Sequence, residues 1–527
     1  MGASGQGHVL AIDLGTSGAK VGLVSEDGHV VEWAFRPTPV ELLPDSGAEQ
    51  DPALWWKAVT DATQDALAAS GVSPEGVIAL ACTGQWSGTV PIGRDLRAIG
   101  NAMIWLDARG APLIEDLIGG PVRIKGYAPH KVARWIRLTG GAPEKSGKDP
   151  VAHIHWLRRH RPDLYRKTMV FLEPKDYLNL QLTGVVAAGF DSIALHWVTD
   201  NRAVDDVHYS RSLLEVTGLD RGKLPELRPA TDVLGPLLPQ PAAQLGLRPE
   251  IPVVMGTPDI HSAAIGSGAI DDYQAHLYLG TSSWLVCHVP FKKTDLMHNM
   301  ASLPSALPGK WLLVNEQESA GACLTYLAER LRILPHGVPH DAELAEIYDG
   351  YDRMAGSSIP GSNGVVFAPW IHGERPPVED SRLKAGFFTL SPLANVNDLV
   401  HSVFEGVALN TRWLLHHVEK FVSRRIDEIR VVGGGAQSDV WCQLHADVLG
   451  RTVVRTEEPR LANLRGVAQL AFLSLGLLQL SDLPGNAAVA RVFYPRTEFG
   501  SLYERRFDEF LDIYRATRRM TRKSGRV

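Results

Sequence analysis

The sequence predicts an α/β protein made of two related lobes that face each other. Three observations support this fold class. The chain has 527 residues, more than a single hydrophobic core normally serves. Apolar strand-like runs alternate with segments of helical periodicity, as in folds that pack helices against sheets. The same pattern of strand, Leu-Gly-Thr-Ser turn and strand occurs in residues 9–24 and again in residues 276–287, about half the chain apart.

The composition is typical of a globular protein in a reducing compartment. Apolar residues make up 45% of the chain and charged residues 21%, both ordinary values. The net charge of −6, without a basic domain, argues against a nucleic-acid partner. The pattern indicates neither a signal peptide nor a membrane-spanning helix, so we expect a cytoplasmic protein that does not bind membranes. Four cysteines lack the spacing of a disulfide framework or a metal site: Cys82, Cys287, Cys323 and Cys442.

The first lobe is expected to cover residues 8–255 and to open with a β-hairpin. Its first three strands are predicted at Val9–Asp13, Lys20–Ser25 and His29–Phe35. A helix over Pro52–Ala69 follows, because Asp51 is a good N-cap and a proline occupies the first helical position. Further strands are expected at Gly76–Cys82 and Ile99–Leu106, loops at Gly119–Asp149 and Leu224–Pro252, and helices at Val151–Arg161 and Pro174–Leu182.

The second lobe is expected to cover residues 256–485, after a short buried strand at Val253–Met255. Residues 486–527 are predicted to form a helical tail, with an amphipathic helix at Tyr503–Arg519 and a solvated basic end. The helices predicted within the second lobe are Glu318–Leu331, Val396–Val422, Asp439–Leu449 and Asn463–Leu475.

The first glycine turn carries the groups that bind phosphate and a cation. Asp13 ends a buried strand, where a carboxylate needs a cation or several hydrogen-bond donors. An aspartate before a glycine also serves as a plain turn former. Because Thr16, Ser17 and Lys20 follow closely, we favour a site for phosphate and magnesium.

A second glycine-rich segment lies between a strand and a helix in the second lobe. Gly433-Gly434-Gly435 would let a nucleotide approach the backbone at the N-terminus of the helix. Glycine runs of this kind also occur as simple turns. The segment lacks the glycine spacing of a dinucleotide-binding fold, and no Walker A phosphate loop is present in the sequence.

Asp259 is the candidate general base. It follows the strand at the expected junction of the lobes and is flanked by small residues, as expected where a ligand comes close. A carboxylate in a cleft can accept the proton of a hydroxyl nucleophile. The alternative is an N-cap for a helix that begins at Ile260.

A floor for a polyol is expected where two neighbouring strands of the first lobe end. Trp86 and Trp105 close apolar runs, and Asp107 and Arg109 follow the second of them. Sugars bind through bidentate polar contacts and an aromatic face, which this set of side chains offers. Core tryptophans and a surface ion pair are the alternatives.

Taken together, these motifs resemble the FGGY family of carbohydrate kinases and, within it, the xylulokinases. The resemblance extends from about Val9 to Leu478, and its motifs occur in the family's order. The motifs are Asp13-Leu-Gly-Thr-Ser-Gly-Ala-Lys20, Thr83-Gly-Gln85, Trp105-x-Asp107-x-Arg109, Glu173-Pro-Lys-Asp-Tyr177, Gly256-Thr-Pro-Asp259, Leu279-Gly-Thr-Ser282, Pro369-Trp-Ile-His-Gly-Glu-Arg375, Glu405-Gly-Val-Ala-Leu-Asn410 and Val432-Gly-Gly-Gly-Ala436.

The resemblance implies a ribonuclease-H-like fold of the actin and hexokinase type, with a deep cleft between the lobes that closes on ATP and sugar. It implies ATP and Mg²⁺ as cofactors, with Asp13 holding the metal and Asp259 acting as the catalytic base. The residues it assigns to ATP are Thr16, Ser17, Lys20, Gly280, Thr281, Gly321, Thr325, Gly434 and Gly435. The residues expected at the substrate are Gln85, Trp86, Ser87, Trp105, Asp107, Arg109 and Asp259.

This chain departs from the xylulokinase pattern at the sugar site. Xylulokinases typically carry Met-His where this chain has Trp86-Ser87, and Ile260 follows the base. We expect ATP-dependent phosphorylation of a ketopentose such as xylulose. Kinases for ribulose, glycerol or a tetritol or pentitol are alternatives, as are a non-catalytic sugar- or nucleotide-binding relative and an ATPase of the actin or chaperone type. A homodimer is one candidate assembly.

Overall fold

The computed structural model describes residues 7–339 and 343–524. In residues 8–258 the strands are β1 (His8–Leu14), β2 (Gly18–Ser25), β3 (Val30–Pro37), β4 (Glu41–Leu43), β5 (Gly47–Gln50), β6 (Val77–Gly84), β7 (Val90–Ile92), β8 (Ala102–Met103), β9 (Val170–Leu172), β10 (Ala187–Gly189), β11 (Thr199–Asp200), β12 (His208–Tyr209), β13 (Glu226–Arg228), β14 (Val233–Pro236) and β15 (Pro252–Pro258). The helices of this part are α1 (Pro52–Ser70), α2 (Ala111–Ile118), α3 (Pro129–Leu138), α4 (Pro150–His160), α5 (Pro162–Lys167), α6 (Pro174–Thr183), α7 (Arg211–Thr217) and α8 (Pro239–Leu245).

The rest of the chain is built in the same way. Its strands are β16 (Ala275–Leu279), β17 (Ser283–Val289), β18 (Thr294–Asp295), β19 (Met300–Pro304), β20 (Trp311–Val314), β21 (Val366–Ala368), β22 (Gly386–Phe388), β23 (Glu428–Val432), β24 (Thr452–Thr456) and β25 (Val489–Phe493). Its helices are α9 (Asp259–Gly266), α10 (Gly321–Glu329), α11 (Leu344–Gly356), α12 (Val396–Val422), α13 (Asp439–Leu449), α14 (Ala462–Ser474) and α15 (Gly500–Ser524).

Two large sheets repeat one arrangement of strands. The first sheet has the order β14-β15-β6-β1-β2-β3, and the second has β18-β19-β20-β17-β16-β23-β24-β25. In both, a central strand pairs antiparallel with the hairpin partner that follows it and parallel with a strand on its other side. A further parallel strand and an antiparallel edge strand come next. The repeated turn in the sequence therefore marks a repeated six-stranded unit.

The two glycine turns occupy equivalent hairpins but differ in length. In the first hairpin Leu14 pairs with Ala19 across a four-residue loop, and in the second Leu279 pairs with Ser283 across a three-residue loop. The residues one step further back face different partners. Asp13 lies opposite Lys20, whereas Tyr278 lies opposite Trp284.

Strand β1 is buried on both faces, which explains its nearly continuous apolar sequence. Leu10 and Ile12 belong to the core that includes side chains of α1. Val9 and Ala11 point to the opposite face and belong to a core shared with α14. Helix α14 comes from the far end of the chain, so the first sheet is completed by a helix that lies within the predicted second lobe.

The predicted helical tail at residues 486–527 requires correction. It begins with strand β25, which pairs with β24 at the edge of the second sheet. This strand is largely exposed, so it lacks the apolar alternation that would have identified it from the sequence. Helix α15 then packs Tyr503 and Phe510 into a core that includes side chains of α12.

Most predicted helices lie where they were expected, and α12 and α13 have the predicted bounds. Three regions of the first lobe differ. The segment Leu224–Pro252, expected to be loops, contains β13, β14 and α8. The segment 119–149, expected to be irregular, contains α3, whose two buried residues give only a short apolar stripe. The expected strand at Ile99–Leu106 is reduced to the two residues of β8. Within the described residues, no helix combines the length and apolar character needed to cross a membrane.

Helices α9 and α14 cross in close contact at two glycines. A Cβ on Gly466 would lie 1.9 Å from the carbonyl oxygen of Ser262, and one on Gly266 would lie 1.8 Å from that of Ala462. We expect Gly466→Ala to lower the free energy of unfolding by about 1–3 kcal/mol, because the helices must separate. Urea unfolding measures this change.

Gly500→Ala is the matched control for that variant. Gly500 begins α15 with helical backbone angles, and a Cβ there meets open space among the described residues. Its stability should stay the same or rise by up to about 1 kcal/mol. Equal stability losses in both variants would contradict the account of the crossing.

Candidate active site

Asp13 presents one free carboxylate oxygen at the end of β1. Its Oδ2 accepts hydrogen bonds from Lys20 Nζ at 2.8 Å and from Asn463 Nδ2 at 3.4 Å. The side chain is 2% exposed, and its Oδ1 has no hydrogen-bond partner among the described residues. A buried oxygen of this kind suits a hard cation, which prefers carboxylate oxygen. The residues therefore fit magnesium.

Within residues 7–339 and 343–524, carboxylate, histidine and cysteine side chains do not form a cage around Asp13. Among the described residues, no group of three or more such side chains converges to hold a metal ion. Mg²⁺ is commonly bound by one or two carboxylates together with water and substrate phosphates. Asp13 would accordingly share the ion with a phosphate ligand.

Both glycine turns are closed by backbone hydrogen bonds. Gly15 N donates to Gly18 O, and Gly280 N donates to Ser282 O, both at 3.0 Å. In the second turn Gly321 N also donates to Gly280 O at 2.8 Å, and a Cβ on Gly321 would lie 2.7 Å from that oxygen. Helix α10 thus begins directly against the turn. A helix N-terminus beside a glycine turn offers the backbone N–H groups that bind phosphate.

The hydroxyl side chains of the turns differ in their availability. Ser17 and Thr281 are exposed at the tips of their hairpins. The Thr16 hydroxyl instead accepts a hydrogen bond from the indole N–H of Trp105 at 2.8 Å. Lys20, predicted to contact phosphate, is paired with Asp13 in this structure.

Asp259 begins α9 and is partly accessible in the cleft. Its Oδ1 accepts a hydrogen bond from the backbone N–H of Ile260 at 2.8 Å. Burial raises the pKa of Asp259 to about 8, and the neighbouring carboxylates of Asp13 and Glu316 act in the same direction. A carboxyl group whose pKa lies near neutral pH is suited to proton transfer.

Tyr278 occupies the place in the second hairpin that Asp13 has in the first. Its ring stacks on Trp284 with centroids 4.0 Å apart and planes at 5°. Burial raises the pKa of its hydroxyl to about 12, and the charges of Lys20, Asp13 and Asp259 also act on it. The second hairpin therefore places a tyrosine, and not a third carboxylate, near Asp13 and Asp259.

The predicted sugar residues Gln85, Trp86 and Ser87 directly follow β6, and each has a defined partner. Gln85 Nε2 donates to Gln50 Oε1 at 2.8 Å, and Gln85 Oε1 is buried without a partner among the described residues. Trp86 packs edge-on against His261, two residues after the base, with centroids 5.5 Å apart. Ser87 has a left-handed backbone, with φ of 66°, and its hydroxyl donates to the carbonyl of Lys148 at 2.9 Å.

Asp107 and Arg109, which are expected at the substrate, form an ion pair with each other in this structure. Asp107 is fully buried, and its oxygens accept hydrogen bonds from the Ala48 backbone and from the Arg109 guanidinium. Arg109 also pairs with Glu49 at 2.5 Å and stacks 3.9 Å from the centre of the Trp156 ring. Both charges have partners within the protein, and the contact of this pair with a sugar stays a prediction.

Trp105 lies between the first glycine turn and two cations. Its indole N–H holds Thr16, while Lys148 Nζ lies 5.7 Å and Arg375 Cζ 5.9 Å from its ring centre. Residues of both predicted lobes thus meet at this side chain. Lys148 and Arg375 border the face of the Trp105 ring. The predicted contact of Trp105 with a sugar would use this ring face.

The predicted nucleotide residues lie on α10 and near the start of α13. The Thr325 hydroxyl is within 2.8 Å of the Tyr348 hydroxyl. A Cβ on Gly434 would meet open space among the described residues, whereas one on Gly435 would lie 2.9 Å from the Trp441 ring. The surface at Gly434 is therefore open to a ligand, and Gly435 packs against the protein.

Several polar residues of the cleft received no role from the sequence. Gln50 and Asn463 hold Gln85 and Asp13 from distant parts of the chain. Glu316 and Glu318 lie outside the motifs identified in the sequence. Arg375 lies in the motif that ends Gly-Glu-Arg, and this motif was the one sequence signal for its importance. The motif does not indicate which side chains Arg375 contacts.

Comparison with known proteins agrees with this arrangement. The family models for the N- and C-terminal domains of the FGGY family of carbohydrate kinases match residues 8–266 and 275–475. A xylulose kinase of Escherichia coli (strain K12) is 29% identical over 515 residues, covering 96% of this chain and 98% of that protein. A xylulose kinase of Bacillus subtilis (strain 168) is 24% identical over 522 residues, covering 97% of each.

Solved structures share the whole fold. The crystal structure of a xyloylose kinase from Brucella ovis has a TM-score of 0.83 and 25% identity, and the match covers 97% of this chain and 100% of that chain. The predicted ribonuclease-H-like fold of the actin and hexokinase type is confirmed. The two domain models together span most of the residues, and the repeated sheets and glycine turns are the structural counterpart of that match. The protein is a phosphotransferase, and it belongs to the FGGY family of carbohydrate kinases.

Proposed function

We propose that this enzyme transfers the γ-phosphoryl group of ATP to a hydroxyl of a ketopentose, with D-xylulose as the first candidate. The observation that carries the proposal is the pair of Asp13 and Asp259, one with a free buried oxygen and the other with a pKa near neutral pH. The first supports a cation site and the second a proton acceptor. The relatives named xylulose kinases favour this sugar over other polyols.

In this proposal Asp259 accepts the proton of the sugar hydroxyl as the phosphoryl group is transferred in line. The hydrogen bond from Ile260 N to its Oδ1 orients the carboxylate and leaves Oδ2 for the substrate. A positioned base contributes roughly 10²–10⁴-fold to such a step. Positioning and electrostatic stabilisation supply most of the remainder.

The phosphates would lie between the two glycine turns. Ser17 and Thr281 offer exposed hydroxyls, and the N-terminus of α10 at Gly321 offers backbone N–H groups. Mg²⁺ at Asp13 would neutralise charge on the phosphate oxygens. Lys20 would hold the carboxylate of Asp13 in its orientation through their ion pair. The nucleotide base would approach the open backbone at Gly434.

The sugar would be held in the first lobe by Gln85, Trp86 and Ser87. The unpartnered Gln85 Oε1 supplies an acceptor for a sugar hydroxyl. The indole of Trp86 supplies an apolar face, fixed by its hydrogen bond to the Ser192 carbonyl at 2.8 Å. Ile260, which follows Asp259 in the chain, would narrow the sugar site on its other side.

The pH dependence of the reaction follows from the raised pKa of Asp259. The base acts only as a carboxylate, so kcat/KM for the sugar, measured with saturating ATP and Mg²⁺, should rise with pH as Asp259 loses its proton. Glu316→Gln removes one neighbouring negative charge and should move this rise to lower pH. A profile that is flat from about pH 6 to about pH 9 in both proteins would contradict the role of Asp259.

A panel of acceptors tests the proposed function. ADP release in the presence of ATP and Mg²⁺ is measured with D-xylulose, D-ribulose, L-ribulose, xylitol, ribitol, erythritol, glycerol and gluconate, and without any acceptor. We expect D-xylulose to give the highest kcat/KM. Faster turnover of another polyol would replace the substrate, and ADP release independent of every acceptor would favour an ATPase.

A further inference from the structure

A chain of charged side chains crosses the cleft beside the proposed site. Lys148 Nζ lies 3.3 Å from Glu318 Oε1, which lies 3.0 Å from Arg375 Nε. Arg375 Nη2 lies 2.9 Å from Glu316 Oε2, and the Ser282 hydroxyl donates to Glu316 Oε1 at 2.9 Å. We call Lys148, Glu318, Arg375 and Glu316 the cleft network.

The cleft network connects the sugar side to the second glycine turn. At one end the carbonyl of Lys148 accepts the hydroxyl hydrogen bond of Ser87. At the other end Glu316 holds Ser282, which directly follows Thr281 in the turn. The Trp105 ring lies near both cations of the network and holds Thr16 of the first turn. The cleft network therefore borders the proposed sugar site at Ser87 and both glycine turns.

The cleft network is largely shielded from water, with Glu316 its most exposed member at 27%, and Glu374 supports it. The side chains of Lys148, Glu318 and Arg375 are 19%, 13% and 15% exposed. The buried carboxylate of Glu374 accepts hydrogen bonds from the backbone of Glu318 at 3.0 Å and of Arg375 at 2.9 Å. Ion pairs with this little exposure are screened less than surface pairs, and their geometry is held by the backbone.

The charges act strongly on one another. Although burial acts to raise the pKa of Glu318, the charges of Arg375 and Lys148 hold it below its ordinary value. Glu318 is therefore a carboxylate, shared by two cations from different parts of the chain. Lys148 is the member that comes from the first lobe, so its contact with Glu318 requires the lobes to be close together.

We propose that Lys148, Glu318 and Arg375 are positioning residues that align the sugar-binding loop at Ser87 with the second phosphate turn. This inference rests on the proposed sugar kinase function. A sugar that orders the loop at Ser87 would favour the Lys148–Glu318 contact, and this contact would hold the turn at Ser282 in place for the nucleotide. Sugar and nucleotide would then bind more tightly together than apart, which is a coupling between two sites.

The test measures that coupling directly. The Kd of a non-hydrolysable ATP analogue, AMP-PNP with Mg²⁺, is determined by calorimetry with and without saturating D-xylulose. We expect the sugar to tighten nucleotide binding about 5–150-fold in the wild type and less than about threefold in Lys148→Met. The sugar-free Kd of AMP-PNP should weaken in Lys148→Met by less than the coupling that is lost, and Lys148→Arg should restore most of the coupling.

Lys145→Met is the matched control. Lys145 Nζ lies 3.0 Å from Glu379 Oε2 and also joins residues of the two lobes, but within the described residues neither side chain forms a hydrogen bond or ion pair with the glycine turns. It should retain the coupling of the wild type. Undiminished coupling in Lys148→Met, or an equal loss in Lys145→Met, would overturn the inference.

A second readout does not depend on the choice of sugar. In the ligand-free protein, amide hydrogen exchange at residues 280–283 should be faster in Lys148→Met than in the wild type. In this segment Ser283 and Gln317 each donate a backbone hydrogen bond to the other. Unchanged exchange there overturns the inference even if no acceptor is found. If exchange is faster in Lys148→Met but no acceptor changes nucleotide binding or turnover, the role of the cleft network stands. The proposed function is then refuted.

Discussion

Replacing Asp259 with asparagine is expected to lower kcat at least about 10²-fold while the Kd for nucleotide stays within about twofold of the wild type. An asparagine keeps the oxygen that accepts the hydrogen bond from Ile260 N, so the start of α9 is preserved. It cannot accept the proton of the sugar hydroxyl. Single-turnover kinetics with saturating acceptor measure the chemical step separately from product release.

The thermal stability of Asp259→Asn separates loss of the base from loss of the fold. The carboxylate of Asp259 is destabilised by burial and by Asp13 and Glu316. Its neutral replacement should therefore melt at the same temperature as the wild type or higher, above about pH 8. A variant that keeps most of its turnover would remove Asp259 from the role of base.

Replacing Asp13 with asparagine should lower kcat about 10²–10³-fold, the loss expected when one electrostatic contact to the transferring group is removed. The substitution also removes the partner of Lys20, whose ion pair holds the free oxygen towards the cleft. We expect the Mg²⁺ concentration needed for half-maximal turnover to rise. Initial rates over a Mg²⁺ titration at fixed ATP measure both effects.

Asp27→Asn is the matched control for Asp13→Asn. Asp27 lies at the other end of the same hairpin, where it accepts hydrogen bonds from Ser25 and His29. Its loss should leave the Mg²⁺ dependence unchanged. If Asp13→Asn retained the wild-type Mg²⁺ requirement, the metal would have to lie elsewhere in the cleft.

The features predicted best from the sequence are those with local signals. The two Leu-Gly-Thr-Ser turns marked two hairpins, and the structure extends that likeness to six strands in the same order and direction. Helix α1 has its predicted start, because Asp51 accepts a hydrogen bond from Ala53 N as an N-cap. Residue type and position singled out Asp13 and Asp259, and the structure places Asp13 near the end of β1 and Asp259 directly after β15.

The features that the sequence could not show depend on contacts between distant residues. Asp107 and Arg109 look like open polar groups in the sequence, but their partners include Glu49 and the backbone of Ala48, about 60 residues earlier. The Lys148–Glu318 contact joins residues 170 positions apart. Helix α14 reaches the first sheet from the opposite end of the chain. No periodicity or local motif carries such information.

The fate of the γ-phosphoryl group tests the central claim most directly. Phosphorus-31 NMR can follow the enzyme with ATP, Mg²⁺ and D-xylulose. The account predicts a new phosphomonoester signal that grows in step with ADP, and its formation should be lost in Asp259→Asn. Release of inorganic phosphate in step with ADP, with or without the sugar, would contradict it.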